Sequence, residues 1–365
     1  MSVKPTADTN IAIIGAGVGG CIAALALAPH YSVTLIDKQV ALPPRVGECL
    51  PPATLRILRA LKLEHLLNEQ HHLKSQGMLS YWGSEQPTIV DNLSNPDGFG
   101  WHIDRPLFEQ QLRQAAQERG VTCLWPSHLI TNTKMAKHWE LKLQQGSEIR
   151  SLNADVVIDA TGRHCVFTRQ LGVARQQFDK LTSVWLTANV HVNKKFGLIS
   201  STDKSWWYSA PIPTLPTNHA PESKSSSAQA RVFSWQAESA IIDKTLSKSP
   251  QAFLTAACKA PGFKPLIEQI DLSSVKLQGI VAANSSKLST CSGQQWFAIG
   301  DAAMSFDPIS SQGMFNAMAS AMQLSELLIT NGLHHMENQH LYQQQMDSVW
   351  QQYLAHKELF YNMMS

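Results

Sequence analysis

The residues Gly15-Ala16-Gly17-Val18-Gly19-Gly20 fit the spacing GxGxxG, with glycines at 15, 17 and 20. An apolar run, Ile11–Ile14, precedes them and reads as a strand. A small-residue run, Cys21–Ala28, follows and reads as a helix. Gly15 permits a tight turn, Gly17 lets the backbone approach a pyrophosphate, and Gly20 lets the helix pack closely on the strand. The helix N-terminus offers free N–H groups and a positive dipole to phosphates. Tyr31–Asp37 reads as a second strand ending in an acid. Asp37, about 20 residues beyond the first glycine, would accept hydrogen bonds from ribose hydroxyls. GxGxxG alone is a weak signal. With strand, helix and acid in register it reads as a dinucleotide site, against the alternative of a Gly-rich connection in another α/β fold.

A second segment separates a flavin from a nicotinamide dinucleotide. Trp296–Ile299 is a short apolar strand ending in Gly300-Asp301. A loop containing Pro308 follows, and Ser310-Ser311-Gln312-Gly313 opens a helix. Asp301 is placed to bind a ribityl hydroxyl. The helix start would aim backbone N–H groups at the flavin edge that becomes anionic on reduction, and a helix N-terminus stabilises such charge. Signals at both ends of the chain therefore converge on FAD.

The elements that position these residues follow from periodicity. Phe108–Arg119 places Phe108, Leu112, Ala115 and Ala116 at helical spacing, and Asn153–Ala160 reads as a buried strand. Residues 183–192 and 230–236 alternate as strands of a sheet. Thr217–Gln229 is polar and Ser-rich and reads as a loop, and Leu341–Met364 as a C-terminal helix. The expected fold is α/β: a Rossmann-like FAD-binding domain with an inserted β-sheet substrate domain and a C-terminal helix. The FAD domain is discontinuous, over 8–75, 104–175 and 285–330. The sheet-rich domain takes 76–103 and 176–284, and a helical segment takes 331–365.

Composition sets outer limits. The 365 residues carry a formal net charge of +2, which argues against an electrostatic nucleic-acid binder. Charged residues are 16%, below the roughly 25% common in soluble domains, and a Gln-rich tail supplies polar surface in their place. The six cysteines form no CxxC pair, and His71-His72 and His334-His335 lack partners at ligand spacing. No metal site is expected, and the cysteines read as small buried hydrophobes. Met304, Met314, Met318 and Met322 form a stripe that reads as core. Residues 11–28 have some features of a secretory signal, with Lys4 before them and Ala26-Leu27-Ala28 at their end. Four glycines in that run and the strand that follows favour a buried strand, turn and helix. No other run approaches membrane-spanning length, so no membrane association and a cytoplasmic location are expected.

Beyond these two segments, the chain resembles the FAD-dependent monooxygenases of the aromatic-hydroxylase type, on the branch that includes tryptophan halogenases. Arg45-Val46-Gly47-Glu48-Cys49-Leu50-Pro51-Pro52 resembles that branch's GE-x-LPP segment beside the flavin, and Asp104-Arg105-Pro106-Leu107-Phe108 its DR-x-x-F segment. Asp159-Ala160-Thr161-Gly162-Arg163 resembles its DATGR element, and Gly300–Gly313 its GDAA…DP…SQG flavin motif. The resemblance implies FAD contacts from Gly15, Gly17, Gly20, Asp37, Arg45, Arg105, Gly300, Asp301, Pro308, Ser311, Gln312 and Gly313.

Departures from that pattern narrow the chemistry. Halogenases carry W-x-W-x-I-P, where this chain has Trp206-Trp207-Tyr208-Ser209-Ala210-Pro211, and Ser310 stands where their Glu would be. Lys74 is offset from the position of their activating lysine. Halogenation is disfavoured. Thr161-Gly162 stands where simple hydroxylases carry Asp-Gly, in a region that affects NAD(P)H use, so the electron donor is left unassigned. Within that branch the chain resembles the compact LodB/GoxB type of flavoprotein, encoded with quinone-cofactor amine oxidases. This implies a protein substrate: a Trp of an oxidase precursor, hydroxylated with dioxygen on the way to cysteine tryptophylquinone. Trp206 and Trp207 are then candidates for the substrate cavity, Glu48 and Tyr208 for polar contact with the reacting centre. Trp101 and His102 are weaker cavity candidates, with a structural role favoured for His102. A small-molecule aromatic hydroxylase, a flavin-dependent reductase and a non-catalytic flavoprotein chaperone are the alternatives.

Overall fold

A computed structural model describes residues 9–41, 49–91, 95–191, 195–213 and 228–364. The fold is mixed α/β and rests on two large sheets. The first runs in the order Ser292–Gly293, Trp296–Ala298, Val156–Asp159, Asn10–Ile14, Ser32–Ile36 and Thr122–Leu124, parallel except for its first pair. Ile11, Ala12, Ile13 and Ile14 are buried at its centre. A parallel strand covered on both faces has no polar side to present, which is why this stretch reads as an unbroken apolar run.

Helix Val18–Leu27 starts at Val18, so the last two glycines of the loop already lie in its first turn. It packs against Arg105–Glu118 and Gly313–Asn331. A Cβ on Gly20 would sit 1.9 Å from the Gly15 carbonyl oxygen, and one on Gly19 would sit 3.2 Å from that of Ala317. These glycines let strand, turn and two helices meet at backbone distance. Gly313–Asn331 buries Met318, Ala321, Leu324 and Leu328 at helical spacing and ends at Gly332.

The second sheet has seven strands in the order Ile270–Ala282, Leu181–Val190, Gln229–Glu238, Ser205–Pro211, Gly197–Thr202, Gly77–Tyr81 and Thr88–Asp91. All neighbours are antiparallel except Gly197–Thr202 with Gly77–Tyr81. Alternation divides its side chains between two faces. On one face Val184, Leu186, Phe233 and Trp235 form a separate core with Phe253 and Leu254 of helix Pro250–Ala257. The other face carries Ser183, Trp206, Tyr208, Ser234 and Gln236, which border a cavity. The C-terminal helix Asn338–Asn362 buries Tyr342, Met346, Trp350 and Tyr353. No helix among the described residues is long and apolar enough to cross a membrane. Residues 217–227 of the Ser-rich stretch lie outside the described residues.

Candidate functional site

A single cavity of about 640 Å³ runs from the glycine loop to the face of the seven-stranded sheet. At one end are Gly15, Gly17 and Asp37. Along its length are Arg105, Gly300, Asp301, Pro308, Ser311 and Gly313, and at the far end Trp206 and Tyr208. Gly15 has φ +106°, and a Cβ there would lie 2.3 Å from the Ala160 carbonyl oxygen, so the turn admits only glycine. A Cβ on Gly17 or Gly313 would meet nothing within 4 Å. Both positions leave open space at a helix start. Gly17 and Gln312, the N-cap residues of the two helices, supply no side-chain cap, so first-turn N–H groups are left free at the cavity. A pyrophosphate at one helix start and an anionic ring edge at the other would meet those donors. The residues present therefore fit FAD. Gly20 and Gln312 do not border the cavity; Gly20 acts through packing.

Asp37 is held by bonds the sequence does not announce. Its Oδ2 accepts from the Ala16 amide at 2.7 Å and pairs with Arg113 at 3.1 Å, and its Oδ1 accepts from Gln39 N at 2.7 Å. Arg113 is buried, donates to the Ala16 carbonyl at 3.0 Å and lies 5.1 Å from the Trp125 ring. It ties the helix Arg105–Glu118 to the glycine loop. The signal for it was a charged residue next to Leu112 on the helix's buried side. Arg105, on the same helix, pairs with the buried Glu109 at 2.8 Å.

The Gly300–Ser305 turn is clamped by two arginines. Arg163 Nε lies 3.7 Å from Asp301 Oδ2, and Arg163 Nη1 donates to Asn284 O at 2.8 Å. Arg175 donates to Asp301 O at 2.9 Å, Ala302 O at 3.1 Å and Ser305 Oγ at 2.8 Å. No motif marks Arg175, and its partners lie far along the chain. Asp159, of the DATGR element, is fully buried and does not reach the cavity. It accepts from Thr161 N and Oγ1, Phe167 N, and Thr168 N and Oγ1, and so organises the turn beneath the cavity. Ser311 takes φ +48°, a strained value for a non-glycine residue, two residues before the helix that opens at Gly313.

At the sheet end the two neighbouring tryptophans separate. Trp206 borders the cavity. Trp207 points to the opposite face, stacked on Trp235 at 5.8 Å and edge-on to Phe253 at 5.1 Å. Successive side chains of a strand alternate, so only one of the pair can line the cavity. The expectation for Trp207 is corrected to a core residue. Tyr208 borders the cavity with Trp206 because their strand pairs regularly and residues two apart share a face. Trp206 Nε1 donates to Tyr361 OH at 3.2 Å, and Tyr361 OH donates to Asp307 Oδ2 at 2.8 Å. Burial pushes the Asp307 carboxyl above its ordinary range, opposed by bonds from Ile309 N and Tyr361 and by the charge of Lys357.

Arg45 and Glu48 lie outside the described residues; Cys49, the next residue, borders the cavity. Trp101 and His102 are buried and do not border it. Among the described residues His102 has no partner for either ring nitrogen, and burial with the nearby Arg231 lowers its pKa to about 3, so it stays neutral. Lys74 pairs with Glu69 and lies 6.0 Å from the Trp101 ring. Of the methionine stripe, Met304 and Met318 are buried, while Met314 borders the cavity.

Comparison with known proteins agrees with this construction. The family model described as FAD binding domain matches residues 8–344. LodB of Marinomonas mediterranea, named as an FAD-dependent oxidoreductase, is 24% identical over 357 residues, covering 96% of this chain and 91% of LodB. The flavin-dependent halogenase CmlS shares the fold with a TM-score of 0.80 and 22% identity over 95% of this chain, which spans 62% of CmlS. QhpG, a peptidyl tryptophan dihydroxylase essential for tryptophylquinone cofactor biogenesis, shares it with a TM-score of 0.75 and 19% identity, covering 98% of this chain and 76% of QhpG. With a family match along most of its length, laid over a cavity whose two open helix starts suit a flavin dinucleotide, the chain belongs to the FAD binding domain family and is an FAD-dependent oxidoreductase.

Proposed function

We propose that this enzyme is a monooxygenase that hydroxylates a Trp side chain of a quinone-cofactor oxidase precursor. The observation that carries the reading is the continuity of one cavity from the glycine loop to the wall bearing Trp206 and Tyr208. Cofactor and aromatic substrate would share that space. The likeness to QhpG, a peptidyl tryptophan dihydroxylase, supports a peptidyl substrate. In this reading 8–75, 104–175 and 285–330 form the cofactor part, and 76–103 with 176–284 the substrate part.

Bound and reduced, FAD would supply the activation of dioxygen for oxygen transfer to an electron-rich ring. The chain's own residues do the rest. The glycine-loop amides hold the pyrophosphate, Asp37 the adenosine ribose and Asp301 a ribityl hydroxyl. Free N–H groups at Gly313 stabilise negative charge at the ring edge. Trp206 and Tyr208 present flat, largely apolar surface that orients a planar substrate and excludes water. The test is the peptide mass of the candidate precursor, produced with and without this enzyme. One added oxygen on a single Trp, absent when the glycine loop is disrupted, is the expected result. An unmodified precursor beside folded, FAD-loaded enzyme would sink the proposal.

A further inference from the structure

Three oxidisable rings lead in unbroken contact from the cavity wall to the surface. Trp206 is the inner one; it borders the cavity and is 2% exposed. Its ring centroid lies 6.2 Å from that of Trp82, which directly follows the strand Gly77–Tyr81 and is half-buried. The Trp82 ring lies 6.4 Å from that of Tyr361, edge-on, and Tyr361 OH closes the triangle by accepting from Trp206 Nε1 at 3.2 Å. These are ordinary packing distances for aromatic rings. They are also short for electron exchange, which passes between π systems by tunnelling and needs no open path.

The proton chemistry of the group sets it apart from a packed core. Tyr361 OH donates to Asp307 Oδ2 at 2.8 Å. A phenol gives up an electron readily only when its proton has an acceptor, and a hydrogen-bonded carboxylate is one. Asp307 is 1% exposed, and burial raises its affinity for a proton. Two other aromatic clusters lack one part of this arrangement. Trp207 and Trp235 stack on the far face of the sheet and do not border the cavity. Phe306 borders it and leads to Trp350 at 6.0 Å, but a phenyl ring is far harder to oxidise by one electron than an indole or a phenol.

We propose that Trp206, Trp82 and Tyr361 form a relay that carries an oxidising equivalent out of the flavin cavity to the protein surface. A one-electron oxidant in the cavity takes an electron from Trp206; an oxygen-centred radical left by a failed turnover becomes its anion in doing so. Trp206 regains an electron from Trp82 directly, or from Tyr361 as the Tyr361 proton passes to Asp307 Oδ2. Trp82 then refills Tyr361, whose proton returns from Asp307. The deficit comes to rest on Trp82, where soluble thiolates return the electron and pair as a disulfide. This role is separate from substrate oxygenation and does not depend on what the substrate is. It spares the cavity side chains Tyr208 and Met314 from oxidation.

The test is flash photolysis of FAD-loaded enzyme without oxygen or substrate, with light-excited FAD as the one-electron oxidant. Transient absorption reads the oxidised indole and phenol bands, normalised to bound FAD. Wild type is expected to give a charge-separated state that outlives that of Trp82→Phe severalfold. Trp82→Tyr, close to Phe in shape yet oxidisable, is expected to restore most of that lifetime. Tyr361→Phe is expected to remove the phenoxyl band and keep the indole band. A purely structural Trp82 would make the Phe and Tyr variants alike. No indole radical in wild type, equal lifetimes in wild type and Trp82→Phe, or equal shortening in both Trp82 variants overturns the proposal. The readout involves no precursor, so an unmodified precursor in the mass test leaves the relay standing. Failure of the relay likewise leaves the oxygenation reading standing.

Discussion

Replacing Tyr361 by Phe would test whether the C-terminal helix holds the cavity wall. The hydroxyl accepts from Trp206 Nε1 at 3.2 Å and donates to Asp307 Oδ2 at 2.8 Å. Asp307 is 1% exposed and begins the Pro308 loop beside the cavity. Without the hydroxyl, its carboxylate keeps the Ile309 amide at 2.9 Å and the Lys357 ammonium at 3.6 Å. Losing a hydrogen bond to a buried charge costs about 1.5–3 kcal/mol, and leaving the indole N–H unpaired adds about 1 kcal/mol. The expected loss is therefore about 2–4 kcal/mol. At roughly 2 °C per kcal/mol for a chain of this size, the melting temperature should fall by about 4–8 °C. The ring contacts with Trp82, at 6.4 Å, and with the Lys357 ammonium, at 5.6 Å, remain in Tyr361→Phe, so packing is little changed.

The pH dependence has a definite sign. Asp307 has a raised pKa in the folded state because burial disfavours its charge, and Tyr361 opposes that rise by donating to the charged form. A raised folded pKa means stability present at low pH that is lost as pH rises through the folded value. Removing Tyr361 raises the folded value further, so the variant goes on losing stability to a higher pH than wild type does and loses more of it in total. The gap between variant and wild type should be widest at neutral pH and narrow as pH falls toward the ordinary carboxylate range. Thermal unfolding by circular dichroism, across that range and at fixed FAD loading, measures it. A melting temperature within a degree of wild type, with no pH trend, would refute the idea that Tyr361 supports a buried Asp307 carboxylate.

Two other perturbations probe the cofactor end. Gly17→Ala should fold normally, since its Cβ meets no protein atom within 4 Å, yet bind FAD at least tenfold more weakly; Gly20→Ala, with its Cβ 1.9 Å from Gly15 O, should lose both stability and FAD. Flavin absorbance per protein and the melting temperature of the cofactor-free form distinguish the two, and equal behaviour would count against the assigned roles. Arg113→Met should cost about 1.5–3 kcal/mol by removing the charged partner of Asp37, which keeps the Ala16 and Gln39 amides, read as a lower denaturation midpoint in urea, and an unchanged midpoint would remove the clamp.

The cofactor cradle was legible in the chain because its determinants are local. A turn that needs φ near +106° at Gly15, a helix start left uncapped, and an acid at the end of the next strand all lie within one short stretch of sequence. Backbone sterics and periodicity act over that range, so residue types report them directly. Both Trp206 and Trp207 were candidates for the cavity; their strand sends them to opposite faces, and Phe253 and Phe263 pack against Trp207, leaving Trp206 to the cavity. The supports were hidden for a different reason. Arg113 reaches Asp37, Arg175 reaches the Asp301 carbonyl, and Tyr361 joins Trp206 to Asp307 across distant parts of the chain. A hydrogen bond forms between atoms that the folded core brings within about 3 Å, and separation along the chain carries no trace of that approach. Sequence determined where a dinucleotide could sit; tertiary packing decided which charged and aromatic side chains hold that place in shape.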